Sequence, residues 1–236
     1  FRLLRPCWKF FFIILCDAAW AGMLGPDGSS TSPSLSLTDE EAALVADAQF
    51  FRKKERISAK VRAQLDTTHA GLMEELGHAS LVVPPGFNPR AHQFVKGEQL
   101  ESFPYQYLDY PKHFDGGNKF AFRTLFWWGH HLACALILEG DGLKQYKKHI
   151  VDRFHQVAGQ ELELSLAPTL WEWKRGEGYT LPITHDRKAQ IASVLAERRF
   201  MKIVRFVPMT DPRLQAGLLP DLSRETFRSM LPIVAA

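Results

Sequence analysis

Cysteine is scarce in this chain: three in 236 residues, Cys7, Cys16 and Cys134. Two lie near the start, which leaves Cys134 alone in the body. One thiol cannot staple a fold, so the body carries no sign of an oxidising compartment. Within an apolar run, Cys134 reads as a small buried core residue rather than a nucleophile. An excess of charge of one sign is lacking too, because 29 Lys and Arg stand against 26 Asp and Glu. A nucleic-acid binder normally gathers a larger basic excess on one surface, so no nucleic-acid partner is expected. No membrane span is expected either. The signatures of common catalytic sites are missing: there is no G-x-S-x-G elbow, no H-E-x-x-H, no paired C-x-x-C and no glycine-rich phosphate loop between a strand and a helix. No spacing calls for a cofactor or a metal ion.

Against these absences stands one stretch, residues 119–140, KFAFRTLFWWGHHLACALILEG. Nearly apolar segments without clean alternation belong inside a sheet covered on both faces. As a single strand it would extend about 70 Å, far beyond ordinary strand lengths. It must therefore fold back, and Gly129 with His130 are expected as the central residues of a type II′ turn. A hairpin there excludes a purely parallel sheet. Arg123 lies in the middle of the first half, and a buried charge needs a partner.

A helix is expected to open at Thr38, where Thr38-Asp39-Glu40-Glu41 has the capping-box form. Apolar residues from Leu44 to Leu76 keep close to a helical period, with Asp66-Thr67-Thr68 expected to divide the run and Gly77 to stop it. The basic residues 52–56 read as a solvated face, and Pro84-Pro85-Gly86 ends the helical part. Residues 103–110 read as a strand closed by Pro111, followed by a turn at residues 115–118. Beyond the hairpin come a helix over residues 143–157, a strand over 161–166, and residues 170–174 paired with 179–183. A helix over 186–199 capped by Thr184, a strand over 200–207 and a last helix over 222–230 complete the chain. The fold class is α+β: an N-terminal helical section, residues 38–80, followed by a mainly antiparallel sheet with two or three helices packed on it. Residues 38–236 are expected to form one domain.

Residues 1–21 have the form of an export signal, with Arg2 and Arg5, a short apolar run and Ala19-Trp20-Ala21 as a cleavage site. The competing reading takes them as upstream sequence and Met23 as the initiator, and the lack of a disulfide pattern favours it. Residues up to 37 are set aside as leader and flexible linker. The protein is then expected in the cytoplasm, or secreted or periplasmic if residues 1–21 act as a signal.

Four constellations are candidates for chemistry. Arg123 shares a strand face with Ala121, Leu125 and Trp127. A guanidinium that stacks on an indole can also grip a carboxylate or phosphate with its planar fork; the competing reading is an internal ion pair with Asp109. Residues 109–115 hold Asp109, Tyr110, His113 and Asp115, groups suited to general acid–base work or metal binding; the competing reading is a polar loop at a strand end. His130 and His131 are neighbours on a strand and so point to opposite faces, from which the two do not readily chelate one ion; a haem or metal role would require one of them with a distant partner such as His113 or His185. Trp171-Glu172-Trp173 presents two indoles on one face, to complete the core or, with a ring left exposed, to form a binding platform.

The expectation is a non-enzymatic, cytosolic binding or accessory protein. It would recognise a small acidic molecule or a protein partner's carboxylate through Arg123, Trp127, His130 and Tyr110. The enzymatic alternative is a hydrolase or transferase with Asp109, His113 and Asp115 as acid–base groups and Arg123 as anion anchor. That alternative requires Arg123 and one of Asp109, His113 or His130 to meet in a water-accessible cleft.

Overall fold

The computed structural model describes residues 35–236. The readings of the leader as export signal or upstream sequence lie outside these residues, as does most of the linker. The described residues fall into two units that divide after Ala48.

The described part of the first unit carries α1 (Asp39–Ala46). Thr38 caps it: its hydroxyl accepts from the Glu41 N–H at 3.2 Å, and the Glu41 carboxylate accepts from the Thr38 N–H at 2.8 Å. The helical run breaks at Asp47 and not at residues 66–68. There α2 (Ala48–Gly77) continues unbroken, and the Thr67 and Thr68 hydroxyls donate to the carbonyls of Ala63 and Gln64, four residues back, rather than competing for the backbone elsewhere.

In the second unit α2 is followed by β1 (Gln93–Leu100), β2 (Phe103–Asp115), β3 (Asn118–Trp127) and β4 (His131–Glu139). Next come α3 (Leu143–Asp152), α4 (Phe154–Val157), β5 (Glu163–Ser165), β6 (Thr180–Pro182), a 3-10 turn at His185–Arg187 and α5 (Lys188–Glu197). The chain closes with β7 (Phe200–Pro208), α6 (Pro212–Gln215) and α7 (Leu219–Val234). The seven strands form one sheet in the order β1-β2-β3-β4-β7-β5-β6, with every pairing antiparallel. The fold is α+β.

The two faces of the sheet are covered differently. Phe120, Phe122, Leu132, Leu136, Ile203 and Val207 point to one face, where the buried apolar residues of α2, α3, α4, α5 and α7 pack. Leu125, Trp127, Ala133, Ala135, Ile137, Val204 and Phe206 point to the other, which is covered by Leu170 and Trp173 from the irregular chain between β5 and β6. β3 and β4 are thus buried on both sides, as their unbroken apolar sequence demands.

Four further local features differ from the sequence expectation. The β3–β4 loop has three residues, with Trp127 opposite His131. Its turn bond runs from the His130 N–H to the Trp127 carbonyl, so Trp128 and Gly129 are the central residues, and Gly129 (φ +71°) takes the position that needs positive φ. β2 runs through Pro111 to Asp115 rather than stopping before it. Its pairing with β1 ends at Gln93↔Asp109 and its register with β3 slips between Asp109 and Lys112, so the missing N–H of Pro111 breaks no ladder bond. Residues 170–174 form no strand, and β6 pairs with β5 instead; the Leu170 and Glu172 carbonyls accept from the Lys202 ammonium. Finally, α7 starts at Leu219, with Pro220 in its first turn where a missing N–H does no harm, and runs on to Val234.

Candidate functional site

Arg123 is sealed in the sheet. Its strand pairs Arg123 with Asp109 in register, and the guanidinium Nε and Nη2 donate to the two carboxylate oxygens at 2.7 Å each. Asp109 is wholly buried and Arg123 nearly so. The stacking partner is Tyr107, 3.8 Å from the guanidinium carbon to the ring centre, with Trp171 and Trp173 at 5.3 and 5.6 Å. Trp127 instead stacks on His130 at 3.7 Å. With the fork closed on an internal carboxylate, Arg123 fixes the register of β2 against β3. Among the residues around it, Trp171 alone is strongly exposed, at 45%.

The acid–base group does not assemble. The register slip in β2 puts Asp109 opposite Arg123 but His113 opposite Phe120, and Arg123 and Phe120 face opposite sides of β3. His113 accordingly lies against Phe87 on the helix side, 6.3 Å between ring centres. Asp115 stands exposed at the turn into β3. Tyr110 is buried on the helix side, edge-on to His69 at 4.7 Å, and burial raises its hydroxyl pKa. At the far end of the hairpin His130 also meets the edge of Phe103, and His131 meets Phe206. Burial, then the neighbouring His130 and Arg175, lowers the His131 pKa to about 4. Among the described residues no group of three or more His, Cys, Asp or Glu is placed to hold a metal ion. Cys134 is fully buried and its thiol is pushed up to about 12, which makes it inert.

A second cation lies on the same face as Arg123. Lys202 of β7 is 1% exposed and sits 4.4 Å over the Trp173 ring. Its ammonium donates to the Leu170 and Glu172 carbonyls, and Arg198 donates to those of Leu166 and Ala167. These cations hold residues 166–173 on the sheet. Burial first, and Arg123 second, lowers the Lys202 pKa to about 8.

An open polar site lies elsewhere, where β7 ends. A cleft of about 500 Å³ is lined by Arg175, Arg205, Arg213, Glu161, Glu163 and Asp211, together with Phe206, Val207 and Pro208. The three arginines are not equivalent. Arg175 donates at 2.7 Å to Glu163, whose side chain is 8% exposed, so that pair is firmly set. Arg205 has a side chain only 13% exposed, yet its ion-pair partners among the described residues are Glu161, 72% exposed, and Glu225, 51% exposed at 3.8 Å. Glu225 is shared with Arg213 at 3.4 Å. Asp211 turns its carboxylate back on the N–H of Arg213, at 2.8 Å, which lowers its pKa.

None of the residues singled out for ligand contact lines this cleft. The signal that picked out Arg123, a cation inside an apolar strand, is equally present in FMKIVRFV at residues 200–207, where it marks Lys202 and Arg205. Arg175 was hidden in an Arg-Gly-Glu-Gly turn. Among the described residues no helix is long and apolar enough to cross a membrane. No protein-family model matches the chain, and neither a curated protein nor a solved structure shows significant similarity to it.

Proposed function

We propose that this is a non-catalytic binding or accessory protein for an acidic group, and that the arginine cleft at the end of β7 receives it. The observation that carries this reading is Arg205: a mostly buried guanidinium whose counter-charges are two exposed, solvated carboxylates. Both glutamates regain full hydration when released, so an incoming carboxylate or phosphate can exchange for Glu161 and Glu225 on Arg205. It then gains charge-assisted bonds in a recess, each worth about 1.5–3 kcal/mol. Arg213 supplies the second donor, since Glu225 already bridges it to Arg205. The enzymatic alternative is the less favoured reading, because His113 faces the opposite side of the sheet from the paired Asp109 and Arg123.

The test is binding of acetate, succinate, citrate and phosphate, followed by calorimetry and thermal shift, in the parent and in Arg205→Gln and Arg213→Gln. An acid that binds the folded protein raises its melting temperature through linkage. Saturable binding of at least one acid, weakened roughly tenfold or more by Arg213→Gln, is the expected result. Arg213 is substantially exposed, so this variant keeps the fold if Arg205→Gln does not. No binding of any of these acids, or equal binding in parent and variants, overturns the reading.

A further inference from the structure

Resting on that reading, we infer that the acidic ligand is an extended peptide segment of a partner protein, which adds a short strand to the open edge of β7 while Arg205 and Arg213 hold its carboxylate. The edge is visible in the strand register. On one side β7 is paired with β4 all the way to His131↔Pro208. On the other, β5 pairs with it only at Glu163↔Val204 and Leu164↔Ile203. From Arg205 to Pro208, therefore, β7 has a ladder partner on one side only. The chain that would have continued β5 turns away through Gly159 (φ +78°) and Glu161 (φ +56°). The space left by that departure is the cleft, and all four edge residues line it.

An unpaired edge is a template for another strand. Arg205, Phe206 and Val207 at about 3.3 Å each span roughly 10 Å, the reach of a three-residue extended segment, and the edge ends at Pro208, which has no N–H and whose carbonyl accepts from the Asp211 N–H. The cleft's volume of about 500 Å³ lies within the range of pockets that take ligands. Strand addition draws affinity from main-chain hydrogen bonds and specificity from alternate side chains.

The way the cleft is lined favours a peptide over a compact anion. Successive residues of β7 point to opposite faces: Ile203 and Val207 join the helix-side core, Val204 and Phe206 the other. Arg205 therefore points to the helix side, with Arg213 and Glu225 beside it, while Arg175 lies over Phe206 at 5.5 Å on the opposite side. A recess walled from both faces along one strand edge matches a ligand whose own side chains alternate. Its carboxylate, on the helix side, replaces Glu161 and Glu225 on Arg205. Its next side chain lies on the other side, against Phe206 and the aliphatic stem of Arg175, a residue that stays neutralised by Glu163.

The test compares succinate with an acetylated Val-Thr-Val-Glu peptide and two counterparts, each N-methylated on one alternate set of amides, by calorimetry and amide NMR. The unmodified peptide is expected to bind at least tenfold tighter than succinate, with amide shifts at residues 205–207. Because a paired strand turns only alternate amides to its neighbour, one methylated counterpart should lose roughly tenfold or more and the other should bind normally. Arg213→Gln should weaken peptide and succinate alike. If all three peptides bind equally, or none exceeds succinate, the strand addition is wrong while the acidic cleft stands. If neither succinate nor peptide binds, both fall. Dimerisation of the protein that Arg205→Gln abolishes would put a second copy on the edge and also overturn the inference.

Discussion

Arg123 and Asp109 face each other across β2 and β3 with both carboxylate oxygens taken by one guanidinium, 2.7 Å at each contact, inside a sheet covered on both faces. A pair so enclosed is a registration device. Removing one member leaves the other as an uncompensated buried charge, at about 3–5 kcal/mol.

Asp109→Asn or Arg123→Met should therefore each lower unfolding free energy in urea by several kcal/mol. The double replacement Asp109→Leu with Arg123→Met should recover most of the loss, because no buried charge then remains. Acid binding at the β7 cleft should be unchanged wherever the variant folds. Weakened acid binding in a folded Arg123→Met protein would return the ligand site to Arg123.

Lys202 makes stability rise with alkaline pH. Its pKa is lowered to about 8 in the folded state against 10.5 when exposed. Between those values the unfolded chain holds more protons than the native one, so stability increases as pH rises, by at most about 3 kcal/mol. Lys202→Met should abolish that slope between about pH 8 and 10 in urea titrations. A parent whose stability is flat over this interval contradicts the burial of a charged Lys202.

His131 acts at the other end of the scale. Its imidazole is kept neutral by burial down to about pH 4, against 6.5 when exposed. As pH falls through that interval the unfolded chain takes up the proton first, so stability is lost, again by up to about 3 kcal/mol. His131→Phe should flatten the acid limb of the stability curve between about pH 6.5 and 4. An NMR titration of His131 with a midpoint near 6.5 in the folded protein would contradict the arrangement.

Much of the fold could be read in advance because its signals are local. The capping box at Thr38, the glycine bend in residues 119–140 and the apolar density of β3 and β4 each depend on neighbours in sequence. The partner of Arg123 was among the readings because in-register strands joined by a short turn bring Asp109 opposite. What could not be read depended on distant pairing. Pro111 looked like a terminator, and nothing local shows that β1 stops two residues earlier in the ladder. That same slip turns His113 away from Asp109, so a motif that looks compact in sequence is divided between two faces. The cleft was out of reach for a related reason. Its arginines come from residues 175, 205 and 213, and its existence depends on where β5 leaves β7, a matter of register rather than composition.

The most direct measurement follows the Arg205 Nε–H resonance by NMR while the acidic peptide or succinate is titrated. Saturable displacement of that signal is expected, with the carboxyl signals of Glu161 and Glu225 moving in step as they are released and the Arg123 signal staying still. A uniform, non-saturating drift of every arginine, or a response at Arg123 with none at Arg205, would contradict a ligand site at the end of β7.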